Sequence, residues 1–165
     1  MRSVQAYQEL FSAHLSSLSF EKKPKGLYEP ISYIMQLGGK RMRPVLALMA
    51  CEAMGKEPIS ALGVASAVEL FHNFTLLHDD IMDEATLRRG QQTVHQKWDV
   101  NTGILSGDAL LVTAYQQLNS YDDALFSALT KLLSETAILV CEGQQYDVDF
   151  ETRDKVSIDE YILMI

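Results

Sequence analysis

The stretch His78-Asp79-Asp80-Ile81-Met82-Asp83 puts three carboxylates within five residues, directly after the apolar run Val64 to Leu77. On a helix advancing about 100° per residue, Asp79 and Asp83 lie about 40° apart and Asp80 about 60° beyond Asp83. The three side chains are therefore expected to fan over one face. Like charges so close repel, and taking them out of water costs on the order of several kcal/mol unless a cation compensates. A hard divalent ion suits the task. Mg²⁺ takes one or two carboxylates, keeps water, and fills its remaining positions with substrate phosphate oxygens.

Three further features suit a phosphorylated substrate. Gly38-Gly39-Lys40-Arg41-Met42-Arg43-Pro44 surrounds a helix start with cations, and its glycines let backbone N–H groups approach an anion. The same residues read equally well as a glycine helix cap followed by a solvated basic turn. Arg88 and Arg89, placed just past the acidic helix end, can fold back toward the carboxylates and grip phosphate with planar guanidinium forks, or merely cap that helix. His72 lies two turns before Asp79 on nearly the same face, where it is either a ligand contact or a hydrogen-bonded core residue.

The elements needed to position these groups are helical. Apolar residues recur at helical spacing over 3–18 and again from Leu27 to Met35, stopping at Gly38-Gly39. Pro44 suits the first turn of the next helix, which runs to about Met54 and ends at Gly55. A long helix is expected from Pro58 to roughly Glu84, apolar nearly all round in its middle, as for a helix enclosed by others. Gly90-Gln91-Gln92 breaks the pattern. A short helix near Val94–Trp98, a longer one from Ile104 to Leu118 and another from about Asp122 to Tyr146 follow. No strand is evident. The reading is all-α, with six or seven helices.

Ser157-Ile158-Asp159-Glu160 has the form of a capping box, announcing a further helix, yet Ile165 is only five residues beyond it. The sequence is therefore expected to be one domain over 1–165 that is cut in mid-element. Hydrophobic residues make up 47% of the chain, enough for a core. Fourteen basic against 22 acidic residues leave a net charge of −8, which argues against non-specific nucleic-acid binding. Cys51 and Cys141 stand far apart in apolar surroundings and read as reduced core residues. No signal peptide is visible, and Val64–Leu77 is interrupted by Glu69, His72 and Asn73, so no transmembrane segment is expected and the location is read as cytoplasmic.

Taken in order, Gly39-Lys40-Arg41-Met42-Arg43-Pro44, Leu76-Leu77-His78-Asp79-Asp80-Ile81-Met82-Asp83 and Arg88-Arg89-Gly90 resemble the trans-isoprenyl diphosphate synthases, or polyprenyl synthetases. Gly107-Asp108 and Gly143-Gln144-Gln145-Tyr146-Asp147 extend the likeness. It implies the N-terminal half to two-thirds of an isoprenoid-synthase-type helical bundle. It also implies condensation of isopentenyl diphosphate with an allylic diphosphate (dimethylallyl, geranyl or farnesyl) in isoprenoid biosynthesis. By resemblance, Asp79, Asp80 and Asp83 hold Mg²⁺ and Arg88 contacts the allylic diphosphate. Gly39, Lys40, Arg43, His72 and Arg89 form the isopentenyl diphosphate site, and Gln144 and Asp147 lie near the second face of the metal–substrate site. Phe74 and Thr75, five and four residues before Asp79, resemble the pocket floor of short-chain synthases making C20 or C15 products, Phe74 otherwise being plain core packing. Family members are usually homodimers, and the helices near 104–140 are apolar enough to supply an interface. The family's second aspartate-rich motif is not among these 165 residues, so the chain by itself is expected to have little or no activity. Competing readings are a class I terpene cyclase, which needs no Gly39–Pro44 site, a metal-dependent phosphohydrolase, and a non-catalytic partner of a longer synthase.

Overall fold

The computed structural model describes all 165 residues and divides into two units, 1–120 and 121–165. The first unit contains helices α1 (Val4–Ser17), α2 (Lys25–Gln36), α3 (Met42–Ala53), α4 (Leu62–Met82), α5 (Val94–Lys97) and α6 (Val100–Gln116). Single 3₁₀ turns, Pro58–Ala61 and Gln117–Ser120, precede α4 and follow α6. The second unit contains α7 (Asp123–Glu151) and α8 (Ile158–Met164).

Local chemistry sets the helix starts. Ser3 accepts from the Ala6 amide at 3.2 Å, Asp99 from Thr102 at 2.8 Å, and Asp122 from Leu125 at 3.0 Å, each satisfying an amide that the first turn leaves unpaired. At α8 the capping box is complete, with the Glu160 carboxylate accepting from the Ser157 amide at 2.9 Å.

Helix α4 is the spine of the first unit. Leu70 and Leu77 face a core shared with Ile31, Ile34 and Met35 of α2, Val94 of α5, and Leu110 and Ala114 of α6. At its N-terminal end Ala65 packs with Val45 and Leu48 of α3 and with Tyr7 and Phe11 of α1. Burying each large aliphatic side chain contributes about 1.5–3 kcal/mol, so these residues fix α4 on both sides. The contact between α4 and α6 is the most extensive in the unit. Glycines make it close: a Cβ at Gly103 would lie 2.8 Å from Ile81 Cδ1, and one at Gly107 would run into the His78 ring.

Several expectations change. There are eight α-helices. Helix α6 begins at Val100 rather than Ile104 because Asp99 caps it and Gly103 serves packing rather than breaking the helix. Helix α7 continues to Glu151, past Tyr146. A two-residue hairpin, β1 (Leu87–Arg88) against β2 (Gln91–Gln92), stands where no strand was expected. Cys141 is exposed on α7 instead of lying in a core, because α7 buries no residue within its unit, while both cysteines are free as read. By length and composition alone, two helices, Pro58–Met82 and Asp123–Glu151, could cross a membrane. The first carries the buried polar residues Ser66, Glu69, Asn73 and Asp80 among its core contacts.

Candidate active site

The acidic cluster occupies the last turn of α4, where unpaired carbonyls already make the helix end negative. The three carboxylates do not share one environment. Asp80 is 1% exposed and points inward, Asp79 is half-buried, and Asp83 is the exposed C-cap residue, its amide 2.8 Å from the Asp79 carbonyl. Arg88 compensates the buried charge. Its Nε lies 2.9 and 2.8 Å from the two Asp80 oxygens, and its Nη2 lies 2.8 Å from Oδ1. Short, charge-assisted and part-buried, this fork anchors the segment after α4. Thr93 completes the anchor by donating through Oγ1 to the Ala85 carbonyl at 2.7 Å and through its amide to Thr86 at 3.1 Å.

No three His, Cys, Asp or Glu side chains converge on one metal position. The donor set still fits Mg²⁺ in its usual mode. Asp79 and Asp83 offer hard oxygens one turn apart, and the ion completes its shell with water and phosphate rather than a protein cage.

The hairpin turns at Arg89 and Gly90, whose φ values of 53° and 78° are both positive, as the two central positions of a tight two-residue turn require. This turn delivers Arg89 to the 38–43 loop. Its guanidinium donates to the Gly38 carbonyl and lies flat against Gly39, where a Cβ would come within 2.9–3.0 Å of it. Gly39 (φ 129°) is therefore needed for its backbone conformation, and its lack of a side chain lets the guanidinium lie against it. Burial and the neighbouring Arg41 cation lower the Arg89 pKa.

His72 and Arg43 meet across α4 and α3, with Arg43 Nη1 3.3 Å from His72 Nε2. Arginine only donates, so Nε2 accepts and the imidazole is neutral. Burial first, then the Arg43 cation and more weakly Arg89 and Arg88, pull the His72 pKa below its ordinary value, with Glu69 opposing. Lys40 is exposed, and its carbonyl accepts from Gln8 Nε2 of α1 at 3.0 Å. Gly39, Lys40, Arg43, His72 and Arg89 are thus gathered around the loop and the start of α3, whose dipole adds to the positive field.

Phe74 joins the core around α4 and meets the His78 ring edge-on at 4.7 Å and Phe71 at 5.6 Å. The Thr75 hydroxyl is returned to its own helix, donating to the His72 carbonyl at 2.8 Å. His78 lies against Gly107, its Nε2 3.2 Å from the Ile104 carbonyl and 3.8 Å from the Asp108 carboxylate. Gln144 and Asp147 belong to α7 of the second unit, beside Gly143, where a Cβ would be 2.6 Å from the Met164 carbonyl of α8.

Sequence reasoning met Glu69 and Asn73 only as interruptions of an apolar run and Gly107 only as part of the family likeness, and assigned none of them a structural task. The signal was present: Glu69 and Asn73 are polar residues interrupting an apolar run, and Gly107 is a glycine inside a helical pattern.

The polyprenyl synthetase family model matches residues 24–165. The chain belongs to the polyprenyl synthetase family. Among its relatives it is 45% identical over 145 residues to a geranylgeranyl diphosphate synthase of Methanosarcina mazei, covering 87% of this chain and 45% of that one. It is 41% identical over 160 residues to a geranylgeranyl pyrophosphate synthase of Geoglobus acetivorans, covering 95% and 50%. A crystal structure of a geranylgeranyl pyrophosphate synthase superposes with a TM-score of 0.96 at 55% identity, over all of this chain and 50% of that one. This polyprenyl synthetase chain spans about half the length of the curated relatives it matches.

Proposed function

We propose that this polyprenyl synthetase chain carries the two diphosphate-binding sites of a short-chain trans-prenyltransferase, which joins isopentenyl diphosphate to an allylic diphosphate. The observation that carries the reading is the separation of charge along α4. Asp79 and Asp83 occupy its C-terminal end, while His72, Arg43 and Arg89 gather two turns earlier around a glycine loop. Two anions of the same kind then find two different hosts. Isopentenyl diphosphate meets cations and amides at Gly39, Lys40, Arg43, His72 and Arg89. The allylic diphosphate would meet Asp79 and Asp83 through Mg²⁺, which when bound would neutralise the leaving diphosphate, while Asp80, turned inward onto Arg88, holds that arginine beside them.

The residues of the chain then have distinct tasks. Arg88, seated on Asp80, holds a guanidinium at the acidic mouth, where negative charge grows as the allylic C–O bond breaks. The electron pair leaves with diphosphate. The double bond of isopentenyl diphosphate attacks the resulting carbocation, and loss of a proton restores an alkene. Lys40, Arg43 and Arg89 orient the isopentenyl diphosphate headgroup for that attack. Phe71 and Phe74 line an apolar region that excludes water from the cation.

The proposal takes both units as parts of one synthase domain, supported by a family match that runs through both. It includes a C20 or C15 product, a cytoplasmic setting consistent with two free thiols, and a homodimer using apolar surface of α6 and α7 such as Leu105, Leu132 and Leu139. The pocket floor is tested by Phe74→Ala in a family-length enzyme carrying these residues. Chromatography of the dephosphorylated products is expected to show longer chains, and an unchanged product distribution would remove Phe74 from this role. The two-site assignment is tested by calorimetry. Arg43→Ala is expected to weaken isopentenyl diphosphate at least tenfold while leaving Mg²⁺-dependent binding of an allylic diphosphate intact. Equal loss of both ligands would contradict separate sites.

A further inference from the structure

Of the three cations at positions 40–43, in the loop and the first turn of α3, Arg41 is turned inward onto the protein. Its side chain is 11% exposed and pairs with the 4% exposed carboxylate of Glu69 on α4. Its other terminal nitrogen donates to the Met35 carbonyl at the end of α2, 2.6 Å away. Glu69 is fixed in turn by Asn73, whose amide donates to the Glu69 carbonyl at 2.8 Å and to its carboxylate at 3.1 Å. Arg41 is also the N-cap of α3 and adopts φ 49°, a left-handed conformation that a side chain-bearing residue keeps only when its surroundings impose it.

We propose that Arg41, Glu69 and Asn73 form a buried clamp that sets the position of the 38–43 loop, and that they are positioning residues for the diphosphate site rather than ligands of it. The inference rests on the isopentenyl diphosphate reading of that site. Arg41 ties the loop to the end of α2 and to α4 at once. Glu69 lies one turn before His72 on α4, so the clamp fixes the loop against the helix that carries its imidazole. Gly39 and Lys40 immediately precede Arg41, and Arg43 follows it by two residues. Turning one cation inward onto a carboxylate also relieves repulsion in the loop, because the Glu69 charge acts on His72 and Arg89 against the surrounding arginines. A loop this rich in cations would otherwise splay in the absence of an anion.

The test uses the 165-residue chain and two readouts, amide hydrogen exchange over residues 38–43 and calorimetric affinity for isopentenyl diphosphate. The double variant Arg41→Met/Glu69→Leu replaces the ion pair with apolar volume, which buried pairs commonly tolerate without loss of folding. A folded double variant is expected to lose protection at 38–43, keep it in α6, and bind isopentenyl diphosphate at least tenfold more weakly. Lys40→Ala, which removes a ligand group and not the clamp, is expected to weaken binding with exchange unchanged. Unchanged affinity in the folded double variant overturns the clamp alone. Wild-type chain that binds no isopentenyl diphosphate overturns the site reading, and with it the function given to the clamp. Should the double variant not fold, Arg41→Lys decides. It keeps the charge but cannot span Glu69 and the Met35 carbonyl together, so affinity should fall while unfolding stays cooperative, and unchanged affinity again overturns the proposal.

Discussion

His72 shows how one residue acquires its properties from its neighbours. Its ring is half-buried against Arg43, with Arg89 and Arg88 acting on it from further off and Glu69 the one opposing charge, so its pKa in the folded chain lies below 6.5. Between those two values the unfolded chain holds a proton that the folded chain does not. Stability therefore rises with pH through this window: the contribution is complete above about 6.5 and is lost as pH falls toward the folded pKa. Urea titrations at pH 7.5 and 5.5 are expected to show a pH-dependent loss of stability that is smaller in His72→Gln, and identical losses would contradict the neutral imidazole. A diphosphate bound at the proposed site would reverse the balance and raise the His72 pKa, so binding should take up a proton. Much of this was legible in the sequence, which placed His72, the basic loop and the aspartates on connected elements. It could not show that Asp80 is turned inward onto Arg88 or that Arg41 is turned onto Glu69. Helical periodicity fixes an angle about an axis, and which neighbour meets that angle is decided by packing.

At the scale of elements, α4 and α6 are held together by an exchange of side-chain size. His78 and Ile81 project from α4 where Gly107 and Gly103 leave room on α6. Gly107→Ala places a methyl group against the imidazole, and overpacking of this kind costs about 1–3 kcal/mol. Chemical denaturation is expected to show that loss, and a value near zero would mean that His78 moves aside freely. Gly103 explains why α6 starts earlier than its sequence suggests, since a glycine at a helix boundary reads as a break until its packing partner is known. The hairpin was missed for a related reason. Its strands are two residues each, too short for any period-two pattern, and only the Arg89-Gly90 pair between them announces the turn. The α8 capping box was legible because its chemistry is local, and it predicts its own pH limit. The Ser157 amide and hydroxyl and the Arg153 cation hold the Glu160 carboxyl at about 2, so the box persists above pH 4.5 and is lost as pH falls through about 2.

For the molecule as a whole, the net charge of −8 and the basic cluster around Gly38 and Gly39 are compatible because the cations that matter are few and local. The all-α class and the family followed from motifs spread over both units, and the family match and the superposed structures agree with them. The most direct test of the account is calorimetric titration of the chain with isopentenyl diphosphate and with a non-ionisable allylic diphosphate analogue, each with and without Mg²⁺. The account predicts that isopentenyl diphosphate binds with or without the metal. The analogue should need Mg²⁺ and lose its binding in Asp79→Asn/Asp83→Asn. Metal-independent binding of both, or binding of neither, would contradict it.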